Sequence, residues 1–169
     1  MTEATGEILE KCRESALRLL ERRPHSRAEL DRKLRERDYP APVRQFLLAD
    51  LQRLGLVNDR QFTETFIRQK LLASRPVGTR RILFDLRRRG IPEEMARAVL
   101  AEIAGEEDNQ ESELERARQA AATKWASLMR SGREIQKARA AVYRFLAGRG
   151  FDGDTIRRAV EELGRSERD

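Results

Sequence analysis

Apolar residues along this chain recur at the three-to-four-residue interval of helices that bury one face, and nowhere do they alternate one by one as a half-buried strand requires. In the first stretch Ile8, Cys12, Ala16 and Leu19 mark one face of a helix from about Glu7 to Arg22, which Pro24 ends. Ser26 opens a second helix, with Glu29 three residues on completing a capping box and Leu30 and Leu34 forming the buried stripe. A turn at Asp38–Pro40 leads to a third helix, about Pro42 to Leu54, buried through Phe46, Leu47, Leu48 and Leu51 and terminated by Gly55.

The plan then repeats. Asp59 caps a helix carrying Phe62, Phe66, Ile67 and Leu71, Pro76 and Gly78 break it, and Thr79–Arg89 forms the next. Pro92 suits the first turn of a helix that buries Met95, Val99, Leu100 and Ile103. After an acidic break at Gly105–Glu113, a helix from about Ser112 to Arg130 buries Leu114, Ala117, Ala121, Trp125 and Leu128. Ser131 and Glu134 make a second capping box before a helix through Val142, Phe145 and Leu146. The last helix begins near Asp152 and ends at Leu163, with Phe151 and Ile156 spaced for a hydrophobic staple.

The repetition extends to the residues themselves. Leu34–Pro40 (LRERDYP), Leu86–Pro92 (LRRRGIP) and Leu146–Asp152 (LAGRGFD) share an order of Leu, two variable residues, Arg, Gly or Asp, a large apolar residue, then Pro or Asp. Leu30, Ile82 and Val142 stand four before the motif Leu; Leu48, Leu100 and Val160 stand fourteen after it, and Leu51, Ile103 and Leu163 seventeen after it. The copies lie 52 and 60 residues apart, about right for three short helices per unit. Gly90 follows the second helix of its unit, free to take positive φ, and Asp38 and Gly150 hold the same place in the other two. The expected fold is all-α, with three-helix repeats at 1–55, 56–104 and 112–169 and an acidic hinge at 105–111. In such a repeat protein function lies on an extended surface instead of in a pocket.

Composition supports small bundles over one large core, since 39% of residues are hydrophobic and 38% charged. The net charge of +6 points to a polyanion or an acidic protein surface as partner without choosing between them. A single cysteine, Cys12, excludes an internal disulfide and fits a reducing cytosol, and on its helix face it reads as core. No apolar run approaches a membrane span and the N-terminus is acidic, so a soluble, cytoplasmic chain is expected. Without a long apolar heptad, a monomer is expected.

Candidate chemistry is electrostatic. Between Arg75 and Gly90, the residues Arg75, Arg80, Arg81, Arg87, Arg88 and Arg89 are opposed by Asp85 alone, and guanidinium groups at this density bind phosphates or carboxylates. Arg32, Lys33, Arg35 and Arg37 in the first unit, with Arg139, Arg144 and Arg149 in the third, fall in the corresponding second helices, and stacked units would line them into a stripe. The bland alternative is that these charges cover the solvent face of short helices. Phe46, Phe62, Phe66, Phe84, Trp125 and Phe145 lie on or beside apolar stripes and are assigned to the core instead of to base stacking. His25, the only histidine, reads as a turn residue; no Gly-rich phosphate loop or cluster of metal ligands appears, so no enzyme, cofactor or metal is expected. Tandem helix-turn-helix modules binding nucleic acid remain an alternative, although the third helices carry few residues able to read base edges.

Three segments taken together, Ser26–Leu30 (SRAEL), Leu54–Phe62 (LGLVNDRQF) and Gly78–Ile91 (GTRRILFDLRRRGI), resemble the RecX family of recombinase regulators. The resemblance is close over about Ala16 to Leu100 and looser over the third unit. It implies three tandem three-helix repeats in an elongated, curved array. It also implies a target: the RecA recombinase filament on single-stranded DNA, held in its groove so that extension, ATP hydrolysis, strand exchange and co-protease activity are restrained. Single-stranded DNA would be a secondary contact without sequence preference. The residues expected to dock are Arg80, Arg81, Arg87, Arg88 and Arg89, supported by Arg32, Arg35, Arg139 and Arg144. Two departures are Thr63 after Phe62, where the family usually has Ala, and the acidic Glu106–Glu113 stretch.

Overall fold

A computed structural model describes residues 3–106 and 109–163. Among them the chain forms α1 (Glu3–Arg22), α2 (Arg27–Arg35), α3 (Ala41–Arg53), α4 (Asp59–Leu71), α5 (Thr79–Arg88), α6 (Glu93–Glu106), α7 (Asn109–Arg130), α8 (Ile135–Gly148) and α9 (Gly153–Leu163), with no strand. No helix among the described residues is long and apolar enough to cross a membrane. Of the acidic stretch expected as a hinge, Gly105 and Glu106 end α6 and Asn109–Glu113 begin α7; residues 107 and 108 lie outside the described residues.

The nine helices are three tandem three-helix repeats, and equivalent positions carry equivalent burial. Leu30, Ile82 and Val142 are fully enclosed, as are the motif residues Leu34, Leu86 and Leu146. By contacts the chain divides into two compact units, one of Met1–Thr65 with Leu86–Ala96, the other of Phe66–Asp85 with Arg97–Asp169. The helices of the middle repeat each pass from one unit to the other.

In the first unit Cys12, Ala16 and Leu19 of α1 meet Leu30 and Leu34 of α2 and Val43, Leu47, Leu48 and Leu51 of α3. Burial pushes the Cys12 thiol above its ordinary pKa, which keeps it a neutral core group. The α2 capping box forms as expected, Ser26 Oγ accepting from Glu29 N–H and the Glu29 carboxylate accepting from Ser26 N–H. Ile8 is 38% exposed instead of buried, because Leu9 beside it takes the place against the core. Phe46 is 57% exposed: the α3 stripe is Val43, Leu47 and Leu51, and Phe46 lies about 100° round the helix from Leu47.

The α4 cap is Asn58, whose side-chain oxygen accepts from Gln61 N–H at 3.0 Å. Asp59, expected as the cap, is the first helical residue, and its carboxylate instead accepts the Arg27 N–H at 2.7 Å. Thr63 is fully buried, and its hydroxyl is satisfied by donating to Asp59 O at 2.6 Å, so the departure from Ala leaves no orphaned polar group.

In the second unit α7 presents Leu114, Ala117, Ala120, Ala121, Trp125 and Leu128 to Ala138, Val142 and Leu146 of α8 and Ile156 and Ala159 of α9. Phe151 and Ile156 close the α9 staple inside that core, with Asp152 capping through bonds from Asp154 N–H and Thr155 N–H at 2.9 and 3.1 Å. Arg118 clamps α7 to α9 through both oxygens of Glu162, at 2.6 and 2.7 Å. The expected Ser131–Glu134 capping box does not form. Ser131 and Gly132 belong to the turn that ends α7, Gly132 at positive φ and Ser131 Oγ donating back to Leu128 O at 2.7 Å. Glu134, standing before α8, makes no side-chain cap bond and pairs with Lys137 at 2.8 Å.

Each unit contains one joint between successive repeats, made by the same parts. In the first unit the turn after α5 meets the start of α2: Ser26 Oγ donates to the Arg89 carbonyl, and Gly90 lies against Ala28. In the second unit the turn after α8 meets the start of α5: Gly78 N–H donates to Arg149 O at 3.0 Å and Arg80 N–H to Gly150 O at 3.2 Å. The carbonyls left over at one helix end thus face the N–H groups or cap left over at another, with opposite ends of two macrodipoles adjoining. A Cβ on Gly90 would overlap the Ala28 Cβ, and one on Gly150 would overlap the backbone of Arg81. Asp38, at the equivalent place after α2, also takes positive φ (61°) but is exposed, so its side chain has room.

Gly150→Ala should therefore lower stability by roughly 2–4 kcal/mol, strain at positive φ adding to overpacking, whereas Asp38→Gly should change it by about 1 kcal/mol or less. Urea midpoints at unchanged slope check this; equal midpoints for Gly150→Ala and the parent chain would show that the second joint does not hold the fold.

Candidate functional site

The arginine-rich helix α5 is set by its two ends. At its start, Thr79 N–H and Oγ1 both donate to the Glu113 carboxylate, at 2.9 and 2.6 Å, so a remote acid serves as the cap and complements the positive helix end. Ile82 and Leu86 turn inward, which leaves Arg80, Arg81, Phe84, Arg87 and Arg88 exposed. Phe84, expected in the core, is 51% exposed because it sits about 200° round the helix from Ile82. The Arg81 guanidinium carbon lies 5.7 Å from the Phe84 ring centroid. Asp85 is half-buried, with Arg81 Nε at 3.2 Å and Lys70 Nζ at 3.9 Å.

The other candidate arginines divide by position. Arg32 and Arg35 are exposed on α2, Arg144 is exposed on α8, and Arg139 is half-buried there. In the last turns of α2 and α5, Arg32, Arg35, Arg87 and Arg88 also offset the negative helix end, a structural role that docking would share.

Arg89 is engaged inside the first unit. It donates from Nη1 to Glu29, while Arg23 Nη1 reaches the other Glu29 oxygen at 3.1 Å. Glu29 is 3% exposed, so two cations converge on one enclosed carboxylate. Burial pushes the Glu29 pKa up, but the hydrogen bonds and charges of Arg23 and Arg89 outweigh it and hold the carboxyl below its ordinary range.

Arg149 holds the same motif position in the third repeat. It donates to Pro76 O at 2.9 Å and lies 4.5 Å from the Phe145 ring centroid, inside the second unit. Arg37, its counterpart in the first repeat, reaches back to Lys33 O at 3.4 Å on its own helix. The Arg of the repeated motif is therefore a fastener at both joints, a role that spacing alone did not reveal. The signal was present as Arg followed by Gly in two copies and by Asp in the third.

His25 is buried, with Nδ1 2.9 Å from Arg23 O, and burial pushes its pKa down so that the ring stays neutral at pH 7. It lines a groove of about 450 Å³ in the first unit with Leu17, Leu20, Leu56 and Phe62. Among the described residues no group of three or more His, Cys, Asp or Glu is placed to hold a metal ion. What the α5 face can do is bind anions.

Comparison with known proteins bears on every repeat. Family models described as the first, second and third three-helix domains of RecX match residues 12–51, 58–100 and 111–160. Among similar curated proteins, the Regulatory protein RecX of Chlorobium phaeobacteroides is 33% identical over 89% of this chain and 92% of its own length. Those of Chromohalobacter salexigens and Legionella pneumophila are 36% and 34% identical, over 88% and 92% of this chain and 90% and 97% of their own. The crystal structure of RecX from Lactobacillus salivarius superposes with a TM-score of 0.78 at 23% identity, covering 94% of this chain and 98% of that one. A second crystal structure, of regulatory protein RecX, gives 0.82 at 19% identity over 95% of this chain and 80% of that one. At those identities the structures speak for the fold.

Glu29→Gln should destabilise the chain by about 3 kcal/mol at neutral pH, since it leaves two guanidinium groups short of their shared carboxylate. A carboxyl held below its ordinary pKa contributes stability that is present above the unfolded value of about 4.3 and lost as pH falls through the folded value. The difference between parent and variant in urea midpoint should accordingly shrink on acidification from pH 5. A difference that stays constant down to pH 2 would show that the pairing contributes nothing.

Proposed function

The chain belongs to the RecX family of regulatory proteins, and from that premise we propose that it restrains the filament a RecA-type recombinase forms on single-stranded DNA. On this reading the protein is a non-catalytic monomer of the cytoplasm that docks in the filament groove. There it limits extension, ATP hydrolysis, strand exchange and co-protease activity, and so acts in homologous recombination, DNA repair and the SOS response. Single-stranded DNA is a secondary partner, contacted without sequence preference.

The observation that carries the reading is the exposure of Arg80, Arg81, Arg87 and Arg88 on α5. A surface with that excess of guanidinium suits acidic protomer surfaces and phosphate alike. Arg32 and Arg35 on α2, and Arg139 and Arg144 on α8, are the further basic residues of the other second helices. Arg81 contributes less charge because Asp85 offsets it, and Arg89 contributes by fastening the joint. We read 1–55, 56–104 and 112–169 as successive docking units and 105–111 as the linker between the second and third.

ATP hydrolysis by the cognate recombinase on single-stranded DNA, titrated with substoichiometric amounts of this protein, tests the proposal. Inhibition should survive the addition of excess DNA, which would relieve simple sequestration. No inhibition combined with tight, steeply salt-dependent binding to bare DNA would favour the tandem nucleic-acid-binding reading. Reversing Arg87 and Arg88 to Glu together should weaken inhibition about tenfold or more while leaving the helix folded. Unchanged inhibition by that variant would move the interface off α5.

A further inference from the structure

The groove of about 450 Å³ in the first unit runs against the charge of the chain. The chain carries 35 lysines and arginines, yet none lines this groove, where the one charged group is the Glu21 carboxylate. Its apolar lining is Leu17, Leu20, Leu56 and Phe62, of which Leu17 and Leu56 are 37% and 51% exposed. We propose that the groove receives an arginine side chain of a partner protein, with the aliphatic stem on the leucines and the guanidinium on Glu21. The roles are the reverse of those on α5: here the partner supplies the cation.

Glu21 lies in the last turn of α1, where the negative helix end disfavours a carboxylate. Arg18, one turn earlier, pairs with Glu14 at 3.4 Å, and Arg23 pairs with Glu29 at 3.1 Å. Arg22 stands about 100° further round the helix. Among the described residues Glu21 makes no ion pair. Neither helix formation nor packing accounts for an acid at this place, and a guanidinium from outside would offset both the carboxylate and the helix end. His25 adds a second acceptor. Its ring is 4% exposed and lines the groove, and Nδ1 lies 2.9 Å from the Arg23 carbonyl. A carbonyl accepts and cannot donate, so the proton of the neutral ring sits on Nδ1 and Nε2 offers a lone pair. Arg23 O is the ring's one hydrogen-bond partner among the described residues. A guanidinium has several donors in one plane, enough for both acceptors, whereas an ammonium is held more strongly by water. A purely apolar side chain would leave Glu21 and Nε2 unmet. An acidic ligand would be repelled by Glu21 and find no cation on the wall.

His25 is the one histidine of the chain, so its ring proton resonances report on the groove without ambiguity. The test titrates the full chain with the blocked tripeptide acetyl-leucyl-arginyl-leucinamide, and with the same peptide carrying citrulline, which keeps the shape and loses the charge. The arginyl peptide should shift the His25 resonances saturably and bind about tenfold more tightly than the citrulline peptide, the scale of a hydrogen bond to a charged group. Glu21→Gln should remove that preference, and Leu56→Ala should weaken both peptides alike. Glu21 is exposed at a negative helix end, so Glu21→Gln should keep or raise the parent's thermal midpoint, which circular dichroism checks. Equal affinity for the two peptides overturns the proposal and leaves a groove that is merely apolar. So does an arginine preference that survives Glu21→Gln, or the absence of any saturable shift. A Glu21→Gln midpoint below the parent's would show that the carboxylate serves the fold, and overturns the proposal likewise. None of these readouts uses a recombinase, so they stand apart from the inhibition assay.

Discussion

Helices this short cannot satisfy themselves: α2 has nine residues and α5 ten, so roughly two in five of their backbone donors and acceptors belong to unpaired ends. The joints answer that constraint by setting the carbonyl-rich turn after one second helix against the start of another, Arg89 O on Ser26 and Arg149 O and Gly150 O on Gly78 and Arg80. The approach is so close that no Cβ fits at Gly90 or Gly150. Two requirements, positive φ and a missing side chain, therefore fall on one residue, and glycine alone meets both. Where only the first applies, at Asp38, the chain carries a side chain.

The same joints divide the arginines. A guanidinium at the motif position is drawn inward, to Glu29 in one unit and to the Pro76 carbonyl in the other, because the helix end beside it offers unpaired acceptors and an enclosed acid. Arginines elsewhere on α5 remain outside, since Ile82 and Leu86 claim the inner face. A basic cluster that looks uniform in sequence thus contains both fasteners and surface charges. Glu29, enclosed between two cations, ties Arg89 into the first joint.

Much of the fold was legible as periodicity. The α2 capping box, the staple of Phe151 on Ile156, and the positive φ at Asp38, Gly90 and Gly150 all follow from local chemistry at fixed offsets and appear as expected. The failures share a cause. Phe46 and Phe84 are large and apolar beside a stripe, but a displacement of one residue is about 100° of helix and of two about 200°. Ser131 had the spacing of a cap and was instead part of the turn that closes α7, because Gly132 extends that turn past it. The candidate site was legible as a density of arginines on one helix; which of them face outward was not.

The amino-acid sequence by itself determined the helices, their order in three repeats and most residues of each buried stripe, because all of these depend on neighbours within about one or two helical turns. It also determined the excess of positive charge, which is a count. Only the tertiary structure decided that Arg89 belongs to Glu29, sixty residues away, that Arg149 belongs to Pro76, seventy-three away, and that Phe84 is left outside. Those assignments turn on which helix ends come together, and a pairing between ends far apart in the chain leaves only a glycine where it will close.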